Sequence, residues 1–131
     1  MTAERAASTF TVLGFDFGER RIGVAVGQSV TATASALATV HVRDRRPDWA
    51  ALGELFATWR PERCVVGLPT HADGTAHALA PRIERFCRQL EGRFGTPVDT
   101  VDERLSSFEA RTRGATALDA EAACVILETW F

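Results

Sequence analysis

The spacing of hydrophobic and polar positions changes several times along the chain, and each change predicts an element. Thr11 to Phe17 is rich in strand-forming residues, and Ile22 to Val26 is apolar again. Gly18-Glu19-Arg20-Arg21 between them carries turn chemistry and predicts a hairpin. Thr31 to Val42 mixes Thr, Ala, Ser and Val and predicts a third strand, ended by an arginine cluster and Pro47. Pro47-Asp48 opens a helix carrying Trp49, Leu52, Leu55, Phe56 and Trp59 on one face at a helical period. These aromatics are expected in the core rather than on a base-stacking platform.

Pro61 breaks that helix, and Cys64 to Leu68 is a short, wholly apolar strand of the kind buried on both faces. A loop from Pro69 to Gly74 follows; His71 and His77 beside it are expected to be solvated. Leu79, Ile83, Phe86, Cys87, Leu90 and Phe94 share the next helical face, with Arg82, Arg85 and Arg88 off it. Pro81 is tolerable only near a helix start, so that helix begins around Ala78 to Ala80 or is distorted there, and Gly95 stops it. Pro97 to Val101 is a last strand. Ser106 and Glu109 form a capping box opening a helix that ends at Gly114. A final helix carries Leu118, Ala122, Val125, Ile126 and Thr129 on one side. A strand hairpin followed by alternating helices and strands predicts an α/β fold, a mixed five-stranded sheet flanked by helices. The 131 residues suit one domain, with residues 1–9 a loose lead-in to the first strand.

Composition excludes some classes. With 46% hydrophobic and 24% charged residues the chain is that of an ordinary globular protein. It has no apolar run long enough to span a bilayer and no N-terminal h-region, so a cytoplasmic protein without membrane contact is expected. Net charge is −2, so bulk electrostatics does not draw it to nucleic acid. All 15 basic residues are arginine, which genomic bias explains; their placement matters more than their number. Arg20-Arg21 stands beside Asp16, Arg43, Arg45 and Arg46 cluster, and Arg104 follows two acids. Cys64, Cys87 and Cys124 lie in apolar patterns without Cys-x-x-Cys spacing, pointing to free buried thiols in a reducing cytosol and away from zinc.

Three carboxylates stand out. Asp16 lies in an apolar strand among Gly14, Gly18 and Gly23, where a carboxylate needs a hydrogen bond, a partner charge or a metal. Glu103, after Asp102, comes at the exit of the last strand, where ligands bind in open α/β sheets. Asp119 starts the last helix. Each has a structural alternative: Asp16 capping the turn, Glu103 pairing with Arg104 or Arg20, Asp119 closing a capping box begun by Thr116. Together, three converging acids repel unless cations neutralise them, and an oxygen-only set suits Mg²⁺ or Mn²⁺. Two such ions would activate water and stabilise a leaving oxygen. Arginines at the rim, Arg20, Arg21 and Arg104, would contact the substrate.

The motifs resemble the YqgF (RuvX-like) family. Gly14-Phe15-Asp16-Phe17-Gly18 with Arg21-Ile22-Gly23-Val24-Ala25-Val26 is similar to its opening signature, and Val65-Val66-Gly67-Leu68-Pro69 with Asp73-Gly74-Thr75 to its middle motif. Asp102-Glu103-Arg104-Leu105-Ser106 is similar to its Asp-Glu-Arg-Leu-Thr motif, and Leu118-Asp119-Ala120-Glu121-Ala122-Ala123 with Ile126-Leu127 to its closing helix. The resemblance runs from Val12 to Phe131. It implies an RNase H-like fold and a metal-dependent nuclease trimming the 5′ end of precursor 16S rRNA in ribosome biogenesis. Its implied acidic site is Asp16, Glu103 and Asp119, with Asp102 a neighbour. Ser106-Ser107 stands where threonines are common. The interval from Glu103 to Asp119 is shorter than usual and keeps only Arg111 and Arg113, which weakens the phosphate grip expected of it. Alternatives are a resolvase of branched DNA, a phosphate binder like the sugar kinases and actin, and a nucleic-acid-binding module without catalysis. Both a monomer and a homodimer fit the sequence.

Overall fold

The computed structural model of the chain describes residues 10–68, 78–102 and 118–131. Its middle is β1 (Thr11–Phe17), with odd and even positions facing opposite sides of the sheet. Leu13, Phe15 and Phe17 join one buried cluster and Val12 the other. β1 pairs antiparallel with β2 (Arg21–Gln28), and β2 with β3 (Thr33–Arg43). The hairpin tip closes where Gly18 N–H donates to Arg21 O at 2.9 Å, and a Cβ on Gly18 would sit 2.7 Å from that oxygen. On its other side β1 pairs in parallel with β5 (Arg63–Leu68), which pairs in parallel with β6 (Val98–Asp102).

Among the described residues the sheet has six strands rather than five, in the order β4-β3-β2-β1-β5-β6. The additional one is β4 (Arg46–Pro47), folded back on β3 through Asp44 and Arg45 with φ of 52° and 65°. Such two-residue reversals usually announce themselves by Asn-Gly or Asp-Gly, and Asp-Arg does not.

Helix α1 (Trp49–Trp59) is capped as expected, Asp48 accepting the Ala51 N–H at 3.1 Å. Helix α2 (Ala80–Phe94) has Pro81 in its first turn and ends on Gly95 at φ 67°. Both cover the Leu13–Phe15–Phe17 face, burying Leu52, Phe56, Ile83, Phe86 and Leu90 there. The sequence expectation fails at Trp59, which is 36% exposed in the last turn of α1, beyond the sheet contact.

Helix α3 (Leu118–Trp130) covers the opposite face. Its sheet-facing row is not the one expected. Ala123 to Leu127 are all buried, whereas Thr129 is exposed. A helix apolar on several sides offers no unique face to periodicity. Glycine decides the seat. A Cβ on Gly14 would lie 3.0 Å from Leu127 Cβ and 3.1 Å from Ala123 O, and one on Gly27 2.9 Å from the Phe131 ring and 3.0 Å from Leu127 Cδ2. Gly14→Ala is therefore expected to lower stability by about 1–3 kcal/mol, because backbone must shift to admit the methyl. A thermal midpoint that stays level or rises would show that α3 does not press on β1 there.

The three cysteines are unpaired with each other, as expected. Cys64 and Cys124 are buried and Cys87 half-buried. Burial drives both the Cys64 and Cys87 thiols up, Cys87 to about 11 with Glu91 and Glu84 adding to it. Among the described residues no helix is long and apolar enough to cross a membrane. The proposed lead-in (residues 1–9), His71 and His77, and the helix expected from Ser106 to Gly114 lie outside the described residues.

Candidate functional site

Asp16 is the second-last residue of the central strand and is half-buried. By alternation it shares a face with Val12 and Gly14, the face that α3 covers. Its antiparallel neighbour in β2 is Gly23. On the parallel side the pairing ends at Phe15 opposite Val66, and one further step brings Gly67 alongside Asp16. Both lateral neighbours of this carboxylate are therefore glycines, which place no Cβ beside it.

The parallel strands β1, β5 and β6 end together. Gly67 pairs with Val101 and Leu68 with Asp102, so the acidic end of β6 stands at the same edge of the sheet as Asp16. The two aspartates differ in face. Val101 packs with the cluster under α3, and Asp99 accepts from Trp130 Nε1 of that helix at 3.1 Å. Asp102, one position on, belongs to the α1/α2 face with Leu68 and Val98. Asp16 and Asp102 are thus at one edge but not side by side.

Position 119 is fixed by helix geometry. Residues four apart form one row along α3, and Ala123, Leu127 and Phe131 make up that row against the glycines. Phe131 and Leu127 meet Gly27, which is paired with Val12; Leu127 and Ala123 meet Gly14. The row therefore climbs β1 toward its carboxyl end. Four helical residues rise about 6 Å and two strand residues about 6.7 Å, so helix and strand step together. The next member of the row after Ala123 is position 119, and the next on that face of β1 is Asp16.

Arg20 and Arg21 stand at the β1–β2 tip, both exposed, beside a cavity of about 790 Å³ that Arg82 of α2 and Leu79 just before that helix also line. Glu103 and Arg104 lie outside the described residues. Among the described residues no three His, Cys, Asp or Glu side chains come together as metal ligands.

Sequence reasoning missed a basic feature on the other face. Arg82 crosses the Phe17 ring at 5.7 Å, and Arg93 lies 4.2 Å over Trp49. The signal was present: positions 82, 85, 89 and 93 form one helical row of Arg, Arg, Gln and Arg.

A family model described as RuvX, Holliday junction resolvase, matches residues 10–131. A Pasteurella multocida protein bearing the name "Putative pre-16S rRNA nuclease" is 47% identical, over 92% of this chain and 94% of its own. A Burkholderia ambifaria protein of the same name is 49% identical, over 95% and 91%. Among solved structures, RuvC from T. thermophilus in complex with a Holliday junction substrate superposes with a TM-score of 0.58 at 16% identity, over 93% of both chains. The fowlpox virus Holliday junction resolvase gives 0.52 at 13%, over 92% and 96%. At such identities the two structures speak for the fold, a mixed sheet of the RNase H-like kind.

Proposed function

The chain belongs to the RuvX family of nucleases, and on that footing we propose that it hydrolyses phosphodiester bonds of precursor 16S rRNA in the cytoplasm, with Asp16, Glu103 and Asp119 holding Mg²⁺ or Mn²⁺. The observation that carries this is the setting of Asp16. A half-buried carboxylate stands one residue before the end of the central strand, flanked by glycines, on the face where α3 steps toward it. The donor set fits a hard cation: every proposed ligand is a carboxylate oxygen. The opposite face of Asp102 favours Glu103 over it as the second ligand.

When bound, the ions would supply a water nucleophile at neutral pH and stabilise the leaving oxygen. The chain's own groups do the rest. Asp16 is held on a strand paired on both sides, so its position varies little between turnovers. Gly23 and Gly67 put no side chain beside Asp16, so a phosphate can approach the carboxylate closely. Arg20 and Arg21, with Arg104, neutralise flanking phosphates and fix the strand's register.

The relatives' name and the family's description differ in substrate, so the test sets the two side by side. With Mn²⁺, the protein is expected to cleave precursor 16S rRNA near its 5′ end faster than a four-way DNA junction. Cleavage of the junction alone would replace the RNA by branched DNA. RNA binding without hydrolysis under either ion would reduce the protein to a binding module.

A further inference from the structure

On the face away from α3, the β3–β4 turn and helix α2 frame a cavity of about 490 Å³. Among the described residues five arginines line it, Arg45, Arg46, Arg82, Arg85 and Arg93, against a single acid, Asp44. Phe17 and Trp49 also line it, each carrying a guanidinium over its ring. Through Arg45 and Arg82 the cavity continues into the one at the hairpin tip, where Arg20 and Arg21 stand.

This concentration runs against the chain as a whole, whose net charge is −2. Like charges gathered in one groove repel, and only an anion makes the arrangement favourable. Arg82 shows the demand most directly. Its Nη2 is buried and has no hydrogen-bond partner among the described residues. A buried guanidinium nitrogen left unsatisfied is costly, and a phosphate oxygen is its natural complement. Stacking over Phe17 and Trp49 holds two guanidiniums in place while their N–H edges stay available. Arg45 is placed at a further cost, since φ of 65° is a left-handed conformation that arginine rarely adopts.

We propose that this groove grips the phosphodiester backbone of the substrate strand beyond the bond being cut. The reach is short: Phe17, on the groove's lining, is the residue after Asp16 and faces the other side of the sheet. The end of β1 thus adjoins both the acidic edge, at Asp16, and the arginine-lined groove, at Phe17. The proposal rests on the nuclease function in calling the gripped strand the substrate, but the binding it describes is measurable by itself.

The test is fluorescence anisotropy of a labelled single-stranded RNA oligonucleotide in EDTA, titrated at several salt concentrations. Two substitutions are chosen to leave the fold intact. Arg85→Gln removes an exposed side chain. Arg45→Gly places glycine where φ is positive, so the variant melts no lower than the parent. Each is expected to weaken RNA binding about fourfold at physiological salt, and the pair about 15-fold, with the salt slope falling by about 0.7 per arginine. Unchanged affinity and slope in the double variant would overturn the proposal. So would a double variant that loses affinity for polyglutamate but not for RNA, since the groove would then serve an acidic protein segment. Hydrolysis of bis(p-nitrophenyl) phosphate by the parent reports the acidic site separately. If it is absent while RNA binding still depends on these arginines, the nuclease assignment falls and the groove stands.

Discussion

Replacing Asp16 by Asn is expected to lower metal-dependent RNA cleavage by about 10³-fold or more while leaving the fold intact. A bound ion contributes several kcal/mol of transition-state stabilisation, and a loss of about 4 kcal/mol is three orders of magnitude. Asn keeps the shape of the side chain and one acceptor oxygen, so the neighbouring strands have little to repack around. The stability of the metal-free protein is expected to stay level or rise, because one charge is removed from a group of acids. The thermal midpoint gained on adding Mn²⁺ is expected to vanish in the variant, since stabilisation by a ligand requires that it bind the folded state. Cleavage retained within about tenfold would remove Asp16 from the chemistry. A fall in activity accompanied by a fall in metal-free midpoint would instead mark it as a structural residue.

Phe15→Ala is expected to have the largest effect on stability, about 3–5 kcal/mol. Phe15 is fully buried on the central strand, one residue before Asp16 and on the opposite face. Its ring stacks on Phe56 of α1 at 6.3 Å and meets Phe86 of α2 edge-on at 5.7 Å. It therefore joins both helices of that layer to β1. Truncation loses the transfer free energy, opens a cavity and removes two aromatic pairs worth about 0.5–1.5 kcal/mol each. For a chain of this size the thermal midpoint is expected to fall about 10–20 °C. A fall of only a few degrees would mean that the core can close over the gap and that β1 is held mainly by its strand partners.

Parts of this molecule were legible in the sequence because local chemistry and tertiary context agree. The β1–β2 hairpin is such a case: strand formers flank a Gly-led turn, and the register pairs Asp16 with the Gly23 that the motif already placed near it. Helix α1 begins at its Asp48 cap, and α2 stops on a glycine in the conformation only glycine takes easily. The seat of α3 was not legible. Its residues are apolar on several sides, and the row that meets the sheet is chosen by missing side chains at Gly14 and Gly27 on other strands. Strand β4 was missed because its reversal is made by Asp44 and Arg45 without a glycine. The arginine groove was missed for a different reason. Arg82, Arg85 and Arg93 lie off the apolar face of α2, and polar residues there read as a solvated surface until Arg45 and Arg46 from the β3–β4 turn come to face them. Of the proposed acidic site the sequence supplied the candidates, while the fold supplied the face of two strand positions: Asp16 with Gly14 on the face that α3 covers, Asp102 on the other side.

The meeting of Asp16, Glu103 and Asp119 around divalent ions is tested most directly by crystals of the protein soaked in Mn²⁺ and measured at the manganese absorption edge. The expected result is anomalous density at the carboxyl end of β1, within about 2.0–2.3 Å of carboxylate oxygens from all three residues. Manganese bound elsewhere, or an Asp119 carboxylate turned from Asp16 with an arginine filling the space between them, would contradict it.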